Sequence, residues 1–215
     1  MPIWQRNVGE YYWYKKLEHL DALYIQINRV LGSNSGDFLK FVESLPKPSE
    51  SEMARLIIDF RTNRGGDASI LQPLLHSIIR YWNYLEPGKI FVLISNYTFS
   101  AAVHLAAELE SNTHAIFVGS PTAAPPNHYA DVKRIALPNS GIEVEISSLY
   151  WQKSDPRDLR YAIYPDIEVE ISGSDFIQNK DPVLDSVSNI NPDSAKLNRD
   201  NFSVFNWFRE SQKKQ

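Results

Sequence analysis

Residues 55–118 alternate buried-strand runs with apolar-striped helices, and this pattern constrains the fold more than any other feature of the chain. Arg55 to Phe60 (RLIIDF) is a continuous apolar run of the kind found in strands covered on both faces. It meets a tight Asn63-Arg64-Gly65-Gly66 turn and then a predicted helix from about Ser69 to Trp82. Leu71, Leu74, Leu75, Ile78, Ile79 and Trp82 fall on one stripe of that helix, facing a core. Lys89 to Ser95 (KIFVLIS) begins a second unit, with a turn at Asn96 to Phe99 and a helix from about Ser100 to Glu110. Ala115 to Val118 (AIFV), ending at Gly119, is the next strand. Strands separated by helices predict an α/β domain with a largely parallel sheet flanked by helices.

The flanks of this block are less regular. Residues 1–20 are dense in aromatics, including Trp4, Tyr11, Tyr12, Trp13 and Tyr14, without a clear period, and read as an extended lead-in. Ala22 to Asn28 alternates, with Leu23, Ile25 and Ile27 on one face, and predicts a strand. Asp37 reads as the N-cap of a short helix bearing Phe38, Phe41, Val42 and Leu45, after a Gly32 to Gly36 loop. Farther on, Gly141 to Leu149 alternates like a half-exposed strand and Asp166 to Ile171 is another strand candidate, with a polar loop between them at Gln152 to Arg160. Residues 1–188 are expected to form one core, and 189–215 a linker and an aromatic tail.

Composition excludes whole classes of function. The formal charge of −4, from 22 basic and 26 acidic residues, disfavours nonspecific nucleic-acid binding, which needs a basic face. The absence of Cys removes disulfides, thiolate metal sites and a Cys nucleophile. No two His fall at metal-ligand spacing, so neither metal nor cofactor is expected. No apolar run approaches the ~20 residues of a membrane span. The opening MPIWQRNVGEYYWYKK lacks the basic-then-apolar order of a signal peptide. A soluble protein is expected, cytoplasmic as the sequence stands, or exported if a parent chain carries a signal.

Ser100 is the most informative position. It stands where a buried strand has turned into a helix, among unpaired N–H groups and the positive end of the helix dipole. Such a setting can stabilise an alkoxide or an oxyanion, although Ser is also a common N-cap. Gly65-Gly66 occupies the matching corner one unit earlier, so in a parallel sheet it lies beside the start of the Ser100 helix. Ligands gather at such carboxyl ends of strands.

RLIIDFRTNRGG resembles the strand and Gly-rich turn of the C-terminal processing (tail-specific) and tricorn-core serine peptidases. NYTFSAAVHLAAEL is similar to their nucleophile segment, and AIFVGSPTAAPPNHY to the following strand and its Gly-x-x-Thr loop. YWQKSDPRD and YPDIEVEI resemble the closing segment of bacterial members, so the likeness runs from about Leu20 to Val187. The resemblance implies the Clp protease/crotonase-like fold of ββα units and the C-terminal part of a larger enzyme. It implies Ser100 as nucleophile, with an oxyanion hole from the Ala101 N–H and one N–H of Gly65 or Gly66.

The departures concern the proton acceptor. One branch of the family carries a Lys in the loop after the next strand, whereas the matching segment Thr122 to His128 has none. The tricorn-like branch takes its His from a segment upstream of a PDZ domain, and these 215 residues contain neither. Val103 also stands where the family usually has Glu. The candidate base is either His128, whose loop can fold over the pocket, or a His outside these 215 residues. His104, four residues after Ser100, reads as structural and directed away from the helix N-terminus. His76 reads as a flank residue, and His19 and His114 lie in no pattern. Asp158 or Asp155 is the candidate to orient a His, against the plainer reading of a surface turn with an internal ion pair. Tyr150 and Trp151 line a groove or close the core.

The expected activity is therefore a serine endopeptidase acting on a peptide or unfolded protein segment, with a homo-oligomer compatible with the pattern. The alternatives are a noncatalytic peptide-binding or assembly module and, less well supported, an acyl-transfer enzyme on the related crotonase fold.

Overall fold

The computed structural model describes residues 1–31, 35–46, 53–84 and 89–190. The chain builds β1 (Tyr12–Leu17), β2 (Ala22–Ile27), α1 (Ser35–Ser44), β3 (Arg55–Asp59), α2 (Gln72–Tyr84), β4 (Ile90–Ile94), α3 (Ala101–Asn112) and β5 (Ile116–Gly119) in order. There follow β6 (His128–Ala136), β7 (Glu143–Trp151), β8 (Ile167–Glu168), α4 (Gly173–Ile177) and α5 (Pro182–Asn189). Six strands form one sheet in the order β1-β2-β3-β4-β5-β8. β1 is antiparallel to β2, and every other pairing is parallel. The expected sheet of parallel strands with flanking helices is the architecture found.

Both faces of the sheet are covered, which is why its central strands read as unbroken apolar runs. Ile25, Leu56, Ile58, Val92, Ile94 and Phe117 point to one face and share a core with residues of α1, α2 and α3. Tyr24, Ile57, Phe91, Leu93, Ile116 and Val118 point to the other, against Val183, Leu184 and Val187 of α5. α3 is buried on most sides, and its alanines (Ala101, Ala102, Ala106, Ala107) let it sit close to the sheet.

Several elements differ from expectation. The lead-in contains β1, whose Tyr12 packs on Phe38 and whose Trp13 packs on Tyr24, at 5.1 and 5.4 Å between ring centroids. Its first ten residues are tied to β2 by buried amides: Gln26 donates to the Trp4 carbonyl, and Asn28 to those of Asn7 and Glu10. The first helix starts at Ser35 rather than after Asp37. The second helix is preceded by a separate 3₁₀ turn, Ala68–Ile70, capped by the Asp67 carboxylate on the Ser69 N–H at 2.9 Å. The Asp166 to Ile171 segment pairs as a strand only at Ile167–Glu168. The linker and tail expected beyond 189 fall, from 191 on, outside the described residues.

Two further features frame the site. Arg61, just past β3, is buried between Asp59 and Asp181, with N···O distances of 2.6 and 2.7 Å. Asp181 also caps α5 through the Leu184 N–H, so this charge cluster ties the last described helix to the carboxyl end of β3. β6 and β7 form a separate antiparallel ribbon. Its Tyr129, Ile135, Ile142, Ile146 and Tyr150 side chains are exposed.

Candidate active site

The corners after β3 and β4 are bonded to each other. The Phe99 N–H donates to the Asn63 carbonyl at 3.0 Å. The Thr98 hydroxyl donates to the Phe60 carbonyl at 3.0 Å, and the Ser95 hydroxyl to that of Arg61 at 2.7 Å. Thr98 and Asn63 are both fully buried, so these bonds run through the interior. Parallel pairing of β3 and β4 brings the corners side by side, and the polar residues Asn63, Ser95 and Thr98 fix their spacing.

Ser100 emerges from this frame with φ 53° and ψ −123°, as the residue immediately before α3. Positive φ at a residue with a Cβ is strained, and such strain collects at functional sites. The neighbouring corner explains how the conformation is held. Gly65 sits so close that a Cβ added to it would lie 2.6 Å from the Ser100 Cβ and 3.0 Å from the Ala101 nitrogen. Gly65 itself has φ 98° and Gly66 φ 141°. A Cβ on Gly66 would run into the Val30 carbonyl, with which this residue forms a parallel bridge. Both glycines are thus required, one by Ser100 and the other by Val30.

The backbone donors at this corner divide unequally. The Gly65 N–H donates to Asn63 Oδ1 at 2.8 Å and is occupied. Among the described residues, no hydrogen bond engages the N–H of Gly66 or of Ala101. Those two donors are free to meet an oxygen.

Ser100 opens on a cleft of about 510 Å³, lined also by Gly66, Ala101, His104, Asp131 and Trp151. His104 therefore faces the cleft that Ser100 faces, instead of pointing away from the start of its helix. The reason is general: helical Cα–Cβ bonds tilt toward the N-terminus, so residue i+4 leans back over residue i. His104 is 3% exposed, and among the described residues neither ring nitrogen has a hydrogen-bond partner. Burial, followed by the charges of His128 and Lys153, lowers its pKa to about 4, against a smaller opposing effect of Asp131.

His128 lies behind it. The two imidazole centroids are 4.8 Å apart, and the Trp151 ring stands 5.1 Å from His104. His128 Nδ1 lies 2.7 Å from the Pro125 carbonyl, whereas Nε2 is buried without a partner among the described residues. Burial lowers its pKa too, opposed by that carbonyl. Trp151 Nε1–H donates to the Asp131 carboxylate, and Asp131 adopts φ 54°. His104 and Asp131 were not legible as site residues in the sequence, although the i+4 spacing from Ser100 was a usable signal for His104.

Asp155 and Asp158 are engaged elsewhere. Asp155 pairs with exposed Arg157 at 2.9 Å, and the hydrogen bonds from Arg157 bring its pKa down to about 2. Asp158 is buried and accepts from Arg160 and Ser154, and Arg160 also pairs with Glu110 near the end of α3. Burial would raise the Asp158 pKa, but these hydrogen bonds and the Arg160 charge outweigh it and lower the value. Neither carboxylate lines the Ser100 cleft. A larger cavity of about 890 Å³ opens beyond the Ser95–Tyr97 turn, with Trp4, Tyr97, Ser120 and Phe176 in its wall.

Solved structures supply the fold relationship. A candidate peptidase from Parabacteroides merdae superposes with a TM-score of 0.60 at 17% identity, over 85% of this chain and 66% of its own. A candidate S41 protease from Bacteroides fragilis gives 0.57 at 12% identity, over 83% of this chain and 56% of its own. The tricorn protease gives 0.53 at 15% identity, over 82% of this chain and 18% of its own. This is the fold of the S41 serine peptidases. It is the Clp/crotonase-like α/β architecture, and the chain spans less than two thirds of the length of each of these three structures. No protein-family model and no curated protein sequence matches the chain. No helix among the described residues is long and apolar enough to cross a membrane.

Proposed function

We propose that the chain is the catalytic core of a serine peptidase of the tail-specific/tricorn-like class, with Ser100 as nucleophile. The observation that carries this reading is the strained Ser100 backbone, held by close contact with Gly65 at the mouth of a cleft. A serine that merely caps a helix needs neither the positive φ nor the glycine beside it. The S41-type fold supports the same reading.

In the proposed reaction the Ser100 hydroxyl attacks the carbonyl carbon of an extended peptide or unfolded protein segment. The developing oxyanion is met by the N–H groups of Gly66 and Ala101, the two free donors of the corner. Donors fixed in advance in a half-buried site stabilise the tetrahedral intermediate more than they would in water. The hydroxyl gives its proton to an imidazole of the cleft, the C–N bond breaks with proton return to the amine, and water then cleaves the ester by the reverse sequence.

A fluorophosphonate probe tests the proposal. The folded protein is expected to gain one probe adduct on Ser100, and Ser100→Ala to gain none. A folded protein that stays unlabelled would refute nucleophilic catalysis and leave a peptide-binding module with the peptidase fold.

A further inference from the structure

Resting on the peptidase reading above, we propose that Ser100, His104 and Asp131 act as a catalytic triad within this chain: His104 takes the Ser100 proton, and the Asp131 carboxylate, bonded to Trp151 and not to His104, favours the resulting imidazolium by its charge.

Three observations carry the proposal. His104 is buried to within 3% of its surface, yet both ring nitrogens lack a partner among the described residues. A buried imidazole presents at least one donor or acceptor at each nitrogen, and leaving such groups unmatched costs their desolvation without return. A purely structural His at this depth is expected to be bonded. A His that exchanges a proton with a bound reactant acquires its partner on use.

Placement is the second observation. His104 stands four residues after Ser100 on α3, leans toward the start of that helix, and lines the same cleft. The third is Asp131, which lines this cleft from the ribbon, where Trp151 Nε1–H holds its carboxylate. Among the described residues only four non-glycine residues have positive φ, and Ser100 and Asp131 are two of them. Strain at both ends of a Ser–His–Asp set is expected of a site whose geometry is imposed by the fold.

The charges around His104 come from three groups. Asp131 on β6 favours its protonation; His128 on β6 and Lys153 just after β7 oppose it. Lys153 is bonded to Glu108 of α3 at 2.8 Å. His128 does not line the cleft, and its Nδ1 is directed to the Pro125 carbonyl. It acts as a positioning residue, its ring packed at a tilt of 33° against that of His104.

In the acylation step the Ser100 O–H proton passes to a His104 nitrogen, the Oγ–C bond forms, and the carbonyl π pair moves onto oxygen. The oxyanion then collapses, the C–N bond breaks, and the His104 proton passes to the departing amine. Water repeats the sequence against the acyl ester, giving a carboxylic acid and free Ser100.

The test measures fluorophosphonate labelling rate against pH for the wild type, His104→Gln, His128→Gln and Asp131→Asn, each checked for folding by circular dichroism. His104→Gln is expected to slow labelling at least 100-fold and to remove the acid limb of the profile. His128→Gln is expected to slow it less than tenfold and to keep that limb. Asp131→Asn moves the limb to lower pH, because the charge favouring the imidazolium is gone. In parallel, a blocked phenylalanyl chloromethyl ketone is applied to the wild type, and peptide mapping is expected to find His104 alkylated, a result that needs no variant to fold. Wild-type rates and an intact acid limb in His104→Gln, or alkylation of His128 instead, overturn the triad while leaving Ser100 as nucleophile. An unlabelled wild type overturns the triad and the peptidase reading together.

Discussion

Adding a single methyl group at Gly65 strikes the site where the geometry is tightest. An alanine Cβ there would lie 2.6 Å from the Ser100 Cβ, 2.9 Å from the Phe99 carbonyl oxygen and 3.0 Å from the Ala101 nitrogen. Carbon atoms rest at about 3.5–4.0 Å, so Ser100 must retreat by roughly 1 Å. It cannot do so freely, because the Phe99 N–H and the Thr98 hydroxyl are bonded to the β3 corner. Forcing an alanine to φ 98° adds backbone strain of about 1–2 kcal/mol, and overpacking adds about 1–3 kcal/mol. The sum, about 2–5 kcal/mol, lowers the melting temperature of a chain this size by about 4–20 °C. A 1 Å displacement of a reacting group costs about 100-fold in rate. Gly65→Ala is therefore expected to fold at 20 °C, to melt earlier, and to label with fluorophosphonate about 100-fold more slowly. Labelling at the wild-type rate would refute the argument that Gly65 holds Ser100 in its reactive conformation.

Other outcomes follow from the same structure. Arg61→Met strands two buried carboxylates, Asp59 and Asp181, and is expected to destabilise the fold by about 3–5 kcal/mol in urea denaturation. His104 titrates near 6.5 when unfolded and at about 4 when folded, so its neutral form contributes stability that is full above pH 6.5 and is lost as pH falls toward 4. A urea midpoint lower at pH 5 than at pH 7 is expected, with a shallower difference in His104→Phe. Ile142→Thr and Ile146→Thr on the exposed ribbon, whose side chains are 60% and 52% accessible, are expected to change stability by less than about 0.5 kcal/mol. A larger loss in a dilute sample would mean that something packs on that face.

The parts legible in the sequence were those governed by local pattern. Leu56-Ile57-Ile58 and IFVLI are apolar throughout because both faces of their strands are covered, and Leu74, Leu75, Ile78 and Ile79 of the α2 stripe face the core. Gly65 and Gly66 signalled a corner because only glycine tolerates their φ angles. β1 escaped notice because an edge strand of aromatics and lysines satisfies its two faces with tyrosine and tryptophan rather than alternating aliphatics. β6 carries no burial pattern because its mostly exposed residues are set by pairing with β7, from seven residues away at Ala136 to 23 at His128. The site divides the same way. Ser100 and the glycine corner are one βα unit apart and follow from strand order, whereas Asp131 reaches the cleft only through the path of the ribbon. Asp158 looked suited to orient a histidine by its place in the loop, yet Arg160 and Ser154 hold it.

The central claim is that the Ser100 hydroxyl faces two free backbone donors, and the most direct measurement is a crystal structure with a peptide boronate or aldehyde bound. The account predicts a tetrahedral adduct on Ser100 Oγ with one oxygen about 2.7–3.1 Å from the Gly66 and Ala101 nitrogens. An adduct whose oxygens meet neither amide, or a fully occupied inhibitor bound elsewhere with Ser100 untouched, would contradict it.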